Sequence, residues 1–562
     1  MMIDTWFDVG GEPTLGFLHI PEGGSARAGV VICPPLGHEQ VIAYRAMRFL
    51  GQQLAAEGIA ALRFDYLGQG DASGDSAEPD AVESWLASIE AAVGYLRDSG
   101  VENITLAGLT SGGLLAVAAA QRVRDVAALV LWDPTLSGRR FVRRQKSIHD
   151  LTVGDDSAHG TESVSLLSMT LHVDAATWLE GAEITAATLE EVAVPALVVG
   201  RRADSDNTAT RRLLAALPAN VEYRAVTGQE ELLDVASSIA VIPSGTIDGI
   251  VAWLDQRLPV SMAPVSASVT VEATVGSVAG VPVIERLGRF GTARIFTIET
   301  RLGDATPDRD RGLVVMQPAA AEHRIGPGRF QVQAARELAV RGYRALRFDR
   351  RISGDTTEVD ATEPNMVMAK EWVTDAGELA IGLAAGAPVA LVGLCSGAWV
   401  SARVAERTGA RLTVLMDINY YRTRPMVPGE YARRARLDQH GEPQLGKIRH
   451  GLRERIPGWL WRAASPTQVF NDPTLLLTPP TRVPDSTIAL LLTPEDDEVL
   501  AKNRGMDAIR RLRAGGANIH VTRYPFGDHA LFGDAARTAM LRDTVALIEA
   551  TIPAVPSAAL TP

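Results

Sequence analysis

The stretch that decides the fold is VALVGLCSGAWVSARVA, residues 389–405. Its first half is a short apolar run typical of a buried strand, and its second half has the periodicity of a helix. Gly393 and Gly397 flank Cys395 where strand gives way to helix, and small residues there let the two elements approach closely around one sharply turned residue. The pattern predicts a strand–turn–helix unit with Cys395 as candidate nucleophile. The alternative is a small apolar packing residue, the usual role of a lone cysteine and the one expected of Cys33.

A related stretch lies in the first half of the chain. GLTSGG at 108–113 matches GLCSGA at 393–398, an offset of 285. LAAEGIAALRFDYLGQGD at 54–71 matches LAVRGYRALRFDRRISGD at 338–355, an offset of 284. Because internal similarity at a nearly constant offset is the signature of a repeat, we predict a tandem duplication.

In each copy, short apolar runs alternate with longer amphipathic ones. This alternation predicts an α/β fold with two tandem domains, each a mostly parallel sheet flanked by helices, with functional groups at the carboxyl ends of the strands. LPVSMAPVSASVTVEAT at 258–274 has the composition of a linker, and we place the boundary near residue 262, giving domains 1–262 and 263–562.

Composition narrows the class of protein. The 562 residues carry a net charge of -12, which argues against nucleic-acid binding. No apolar run is long enough for a membrane span, and the first residues lack the features of a signal peptide, so we expect a cytoplasmic protein without a membrane partner. Two cysteines exclude a disulfide framework, and ten scattered histidines indicate no metal site.

The RFD loop ending in Gly-Asp, followed by Gly-x-x-x-G and an alanine-rich helix, resembles the α/β-hydrolase superfamily in its serine-aminopeptidase-like branch. In that family an acid and then a histidine follow the nucleophile in chain order. The resemblance implies Asp496 after the run IALLL, with Asp497 a less favoured acid, and His529 in DHALF. Thr493 stands where the family has glycine. Cys395, His529 and Asp496 thus form the expected catalytic triad.

The resemblance also implies an oxyanion hole and a cap. The hole would use the backbone N–H of Ser396 and one from the loop QPAAAEHR, at Ala319 or Ala320. A cap is expected at about 418–480. Between residues 420 and 462 it has ten Lys/Arg and four Asp/Glu, a net of +6. That charge is either a solvated face or a surface that steers an acidic carrier protein or CoA ester. The candidate substrate-binding residues, which could equally be core or loop-ordering residues, are His323, Tyr420, Tyr421, Trp459 and Trp461.

The first copy departs from the triad at two positions. Thr110 stands at the nucleophile position, where its β-branch should hinder the strained turn, and Glu230 replaces the histidine. Asp204 or Asp206 remains as an acid. Ser111 is one residue out of register and should supply mainly its backbone N–H. We therefore predict a degenerate, inactive site in this copy.

These features predict a cysteine-dependent acyl hydrolase or acyltransferase that acts on an ester or thioester through an acyl-enzyme intermediate. A role in a biosynthetic pathway is a further expectation. The substrate would be a small acyl compound, free or bound to CoA or a carrier protein, and no cofactor is implied. The alternative is a non-catalytic pseudo-hydrolase that binds or scaffolds.

Overall fold

The computed structural model describes residues 1–154, 162–204, 207–303, 311–427, 429–431, 433 and 471–553. It forms two compact units: Met1–Ala236, Ala240–Gly276 and Val359–Glu363 in one, and Ser237–Ile239, Ser277–Glu358 and Pro364–Pro562 in the other. The sequence places the boundary near residue 262, but the first unit continues to Gly276. The reason is backbone pairing, since Ala263 and Pro264 pair with Ala26 and Ser25.

The first unit contains twelve strands and nine α-helices among its described residues. The strands are β1 (Met2–Val9), β2 (Glu12–His19), β3 (Ser25–Ala26), β4 (Ala28–Cys33), β5 (Ile59–Phe64), β6 (Ile104–Leu109), β7 (Val126–Trp132), β8 (Ser163–Leu166), β9 (Met169–His172), β10 (Ala196–Arg201), β11 (Val221–Val226) and β12 (Ala263–Pro264). The helices are α1 (His38–Ala56), α2 (Ala81–Asp98), α3 (Ser111–Ala120), α4 (Gly138–Thr152), α5 (Val173–Gly181), α6 (Ala186–Val192), α7 (Thr208–Ala215), α8 (Glu230–Leu233) and α9 (Ser244–Asp255).

The second large sheet begins with β13 (Glu272–Val278), a strand that crosses the unit boundary at Gly276, and continues with β14 (Val281–Phe290), β15 (Ile295–Leu302), β16 (Leu313–Gln317), β17 (Arg344–Phe348), β18 (Val389–Leu394), β19 (Leu412–Met416), β20 (Thr487–Leu492) and β21 (Asn518–Arg523). The described helices of the second unit are α10 (Phe330–Val340), α11 (Lys370–Ala384), α12 (Ser396–Thr408), α13 (Pro473–Thr481), α14 (Pro494–Lys502), α15 (Gly505–Ala514) and α16 (Asp534–Thr551).

The two large sheets have the same strand order over eight strands. The first runs β1-β2-β5-β4-β6-β7-β10-β11, and the second runs β14-β15-β17-β16-β18-β19-β20-β21 with β13 added at its edge. From β5 and from β17 onward all neighbours are parallel, which confirms the predicted α/β class with two mostly parallel sheets. The antiparallel hairpins β1–β2 and β14–β15 were not part of the sequence prediction.

The central strands are buried because helices cover both faces of each sheet. All six residues of β18, VALVGL, are buried, as are all six of β6, ITLAGL. Continuous apolar runs of this kind are typical of parallel strands with two covered faces. None of the helices in the described ranges is long and apolar enough to cross a membrane.

Candidate active site

Cys395 sits on a strained turn between β18 and α12, with φ 52 and ψ -114. The turn is close-packed: a Cβ on Gly393 would lie 2.3 Å from the carbonyl carbon of Gly397, and one on Gly397 would lie 2.6 Å from the carbonyl oxygen of Gln317. Glycine is therefore required at both places for steric reasons. Cys395 is partly exposed at the amino end of α12, where the helix dipole favours negative charge.

His529 and Asp496 meet beside Cys395. The Nδ1 atom of His529 lies 2.9 Å from Oδ2 and 3.0 Å from Oδ1 of Asp496, which is fully buried in the first turn of α14. Burial by itself lowers the pKa of His529, but negative charge and a hydrogen bond at Cys395, together with Asp496, raise this pKa well above its usual value. The three residues thus come together in the order sulfur, imidazole, carboxylate, a geometry suited to a thiolate–imidazolium pair.

Thr493, which stands where the family has glycine, bridges two carboxyl groups. Its Oγ1 atom lies 3.0 Å from Oδ1 of Asp417 and 3.1 Å from Oδ2 of Asp496. Burial and the charge of Asp496 raise the pKa of Asp417 well above its usual value, with hydrogen bonds from Thr493 and the charge of His529 opposing.

The sequence analysis overlooked Asp417 and Asn419. The amide nitrogen of Asn419 lies 3.1 Å from Nε2 and 3.4 Å from Nδ1 of His529. The sequence did carry a signal for both residues, since they follow the apolar run LTVLM, which forms β19, and β19 neighbours β18 in the sheet. Asp497, the less favoured acid, instead pairs with Arg523 at 2.8 Å in a partly exposed position.

The loop after β16, where Ala319 and Ala320 were predicted as oxyanion donors, contacts the start of α12. Ala319 is buried, and Ala320 has a φ of 37. A buried arginine that the sequence analysis overlooked, Arg350, donates to the carbonyl of Ala320 at 3.1 Å and to Oγ of Ser396 at 3.2 Å. The backbone of the loop is therefore held by a side chain from the end of β17.

The remaining substrate-binding candidates divide into three groups. His323 is buried in the loop after β16. Tyr421 belongs to the buried core of the second unit and Tyr420 packs against it, a placement that matches the alternative of cap core. Trp459, Trp461 and most of the cap at about 418–480 lie outside the described residues.

Thr110 has the same backbone conformation as Cys395, with φ 47 and ψ -115. The β-branch therefore does not prevent the turn, in which Gly108 and Gly112 are as closely packed as the glycines around Cys395. The hydroxyl of Ser111 accepts a hydrogen bond from the backbone N–H of Leu36 at 2.9 Å. That bond engages an N–H of the loop in which the family has its oxyanion donor.

In the part of the chain that the structure describes, the positions predicted for the partners of Thr110 do not form a triad. Glu230 begins α8, and the preceding Gln229 is buried, accepting from Trp132 and donating to Thr246. Asp204 is exposed in a short 3-10 helix, and Asp206 lies outside the described residues. Asp204 lines a cavity of about 210 Å³ near the carboxyl ends of β7 and β10. Within the described ranges, no group of three His, Cys, Asp or Glu could hold a metal ion.

Residues 24–153 match the family model described as serine aminopeptidase, S33. No curated protein matches the chain. Similar solved structures include ferulic acid-bound Est1E from Butyrivibrio proteoclasticus (18% identity, 45% of this chain and 98% of that chain, TM-score 0.35). Another is the α/β hydrolase GrgF from a Penicillium species (15% identity, 46% of this chain and 99% of that chain, TM-score 0.35). A third is an esterase domain from a Rhodothermus marinus protein (16% identity, 46% of this chain and 98% of that chain, TM-score 0.33). The strand order and the two turns described above are those of the α/β-hydrolase fold, and residues 24–153 of the first unit are similar to the serine aminopeptidase S33 family.

Proposed function

We propose that the second unit is a cysteine-dependent acyl hydrolase or acyltransferase that acts on an ester or thioester. The observation that carries the proposal is the arrangement of Cys395 on its strained turn, His529 within hydrogen-bonding reach and Asp496 at 2.9 Å from the far ring nitrogen. A nucleophile, a base and a group that orients the base are the parts that acyl transfer needs.

The reaction would proceed in two steps. The Cys395 sulfur attacks the carbonyl carbon, and the resulting oxyanion is held by the N–H of Ser396 and one from the loop at Ala319 or Ala320. The tetrahedral intermediate collapses to a thioester as the leaving group departs with a proton from His529. Water, deprotonated by His529, then releases the acid, or a second nucleophile takes the acyl group. The net result is hydrolysis in the first case and acyl transfer in the second.

Sulfur favours the second outcome to some degree, because a thioester is more reactive towards amines and thiols than an oxygen ester. Acyl donors on CoA or on a carrier protein are therefore the first class to test. The net charge of +6 between residues 420 and 462 would attract such acidic donors. If so, kcat/KM for the carried donor should fall as salt rises, whereas a neutral ester should show little change.

The test uses the intact chain, an acyl-CoA panel and a neutral p-nitrophenyl ester, with detection of intact mass, of the thiol released from CoA and of the p-nitrophenol released from the ester. The wild-type protein should gain the mass of one acyl group and turn over, and Cys395→Ala should do neither. Turnover that persists in Cys395→Ala but is lost in a Thr110→Ala, Ser111→Ala double variant would place the chemistry in the first unit. Absence of acylation and turnover with every donor would favour a binding or scaffold role.

A further inference from the structure

The residue after the repeated Arg-Phe-Asp is tyrosine in the first unit and arginine in the second. Tyr66 donates from its hydroxyl to the carbonyl of Pro34 at 3.1 Å. Arg350 donates from Nη2 to the carbonyl of Pro318, which stands at the corresponding place in the second unit. Both side chains therefore hold the corresponding loop, which follows β4 in the first unit and β16 in the second.

Arg350 does more than Tyr66. Its Nη1 atom donates to the carbonyl of Ala320 at 3.1 Å and to Oγ of Ser396 at 3.2 Å. Its guanidinium lies 4.1 Å from the centre of the Trp372 ring, and the side chain is 2% exposed. Such a fully buried side chain has a fixed position, so its contacts act continuously on the loop and on the start of α12.

The contact with Ser396 changes which backbone donor is occupied. In the first unit the hydroxyl of Ser111 accepts from the N–H of Leu36. In the second unit the equivalent hydroxyl, that of Ser396, is held by Arg350, and the N–H of Ala320, which corresponds to Leu36, donates to no other described residue. The N–H that an oxyanion would need is thus occupied in one unit and available in the other.

The charge of Arg350 is not cancelled by an ion pair with any described carboxylate. Burial lowers the pKa of Arg350 to about 9, while negative charge at Cys395 and Glu322 opposes this shift. Burial raises the pKa of Glu322 to about 7, with Arg350 opposing. At neutral pH the guanidinium therefore remains protonated within electrostatic range of the sulfur.

We propose that Arg350 is a positioning residue for acyl transfer, which draws the Ser396 hydroxyl away from the Ala320 N–H and supplies positive charge near the Cys395 sulfur. The inference deepens the proposed function and rests on it. The structural alternative is that Arg350 only holds the Pro318 carbonyl, as Tyr66 holds that of Pro34.

The two roles can be separated with Arg350→Tyr, which installs the side chain that the first unit uses, and with Arg350→Lys, which keeps the charge. The readouts are kcat with an acyl-CoA and the pH dependence of Cys395 alkylation by iodoacetamide, followed by peptide mass. The charged groups that bear on this sulfur are His529 and Arg350 directly, and Glu322, Asp496 and Asp417 through them. Cys33 is buried, and its alkylation would report unfolding in any variant.

In Arg350→Tyr, the pH of half-maximal alkylation should rise by about one unit, and kcat should fall by about tenfold or more. In Arg350→Lys, the alkylation profile should stay near that of the wild type while kcat falls. Adding Ser396→Ala to Arg350→Tyr removes the hydroxyl that would recapture the Ala320 N–H, so part of kcat should return without any return of the alkylation profile.

Folded Arg350→Tyr protein with wild-type kcat and a wild-type alkylation profile would overturn the inference. Should Arg350→Tyr fail to fold, as Cys33 alkylation would show, a wild-type kcat in Arg350→Lys would overturn the positioning role. The variant His529→Ala serves to distinguish failure of the Arg350 role from failure of the proposed function. If the alkylation profile shifts in His529→Ala but not in Arg350→Tyr, only the proposed role of Arg350 is refuted. Turnover that does not need Cys395 would refute the proposed function itself.

Discussion

The Nδ1 atom of His529 lies 2.9 Å from Oδ2 of Asp496, although 32 residues separate them in the chain. The contact forms because β20 and β21 are parallel neighbours, so the segments that follow them leave the same edge of the sheet. Asp496 lies in the first turn of the helix that follows β20, and His529 lies in the loop that follows β21. The contact fixes which ring nitrogen faces the sulfur.

Asp496→Asn should reduce kcat/KM by about 10²-fold or more, because the imidazolium loses the charge that stabilises it. Since Asp496 helps to raise the pKa of His529, the substitution should lower that pKa, and the alkaline limb of the rate profile should move to lower pH. The measurement is kcat/KM against pH. Asp497→Asn is the control: its carboxylate pairs with Arg523 instead, and an equal loss there would contradict the assignment.

Cys395→Ser and Cys395→Ala should differ in activity. Alanine should abolish acyl-enzyme formation, and serine should retain a small part of it, since the turn and His529 are preserved while the nucleophile is weaker. Single-turnover assays with an acyl-CoA measure the difference. Equal and complete loss in both variants would weaken the triad assignment, provided that both melt at the wild-type temperature.

Gly397→Ala should destabilise the protein by about 2–3 kcal/mol, because the new Cβ would lie 2.6 Å from the carbonyl oxygen of Gln317, a backbone atom that cannot turn aside. Gly94→Ala in α2 is the matched control. It adds the same methyl where nothing lies within 4 Å, and should be neutral or stabilise by up to about 1 kcal/mol. Thermal unfolding of the intact chain compares the two, and similar melting of both variants would contradict the packing argument.

Arg324→Met should cost about 3–5 kcal/mol, because Arg324 is fully buried between the carboxylates of Asp349 and Asp355. Arg324→Gln should cost less, since the first unit uses glutamine here: Gln40 donates to Asp65 at 2.8 Å. Denaturant unfolding measures both variants. Equal losses would show that glutamine cannot replace the arginine in this unit.

The Arg324→Met defect should also depend on pH. Burial raises the pKa of Asp349, and Arg324 is the largest opposing influence, so its removal should raise that pKa further. A carboxyl group whose pKa is higher in the folded than in the unfolded state binds more protons when folded. The free energy of unfolding should therefore fall as pH rises above about 4 and stay low at higher pH. A defect that is independent of pH would contradict this account.

Much of the fold could be read locally. The apolar runs of β4, β6 and β18 and the amphipathic helices beside them follow from periodicity, and the glycines around Thr110 and Cys395 mark the two turns. The hairpins β1–β2 and β14–β15 escaped notice because antiparallel edge strands carry less continuous apolar sequence; Val281–Phe290, for instance, is only partly buried.

The sequence by itself determined the two α/β units, the turn that presents Cys395, and the chain order in which Asp496 and His529 follow it. Spacing and side-chain type encode those features, so they can be read along the chain. Only the tertiary structure decided that Arg350 donates a hydrogen bond to the hydroxyl of Ser396, while the corresponding hydroxyl of Ser111 accepts one from a backbone N–H. These contacts join residues that follow separate strands, and which groups meet at the edge of a sheet is set by the order and register of the strands.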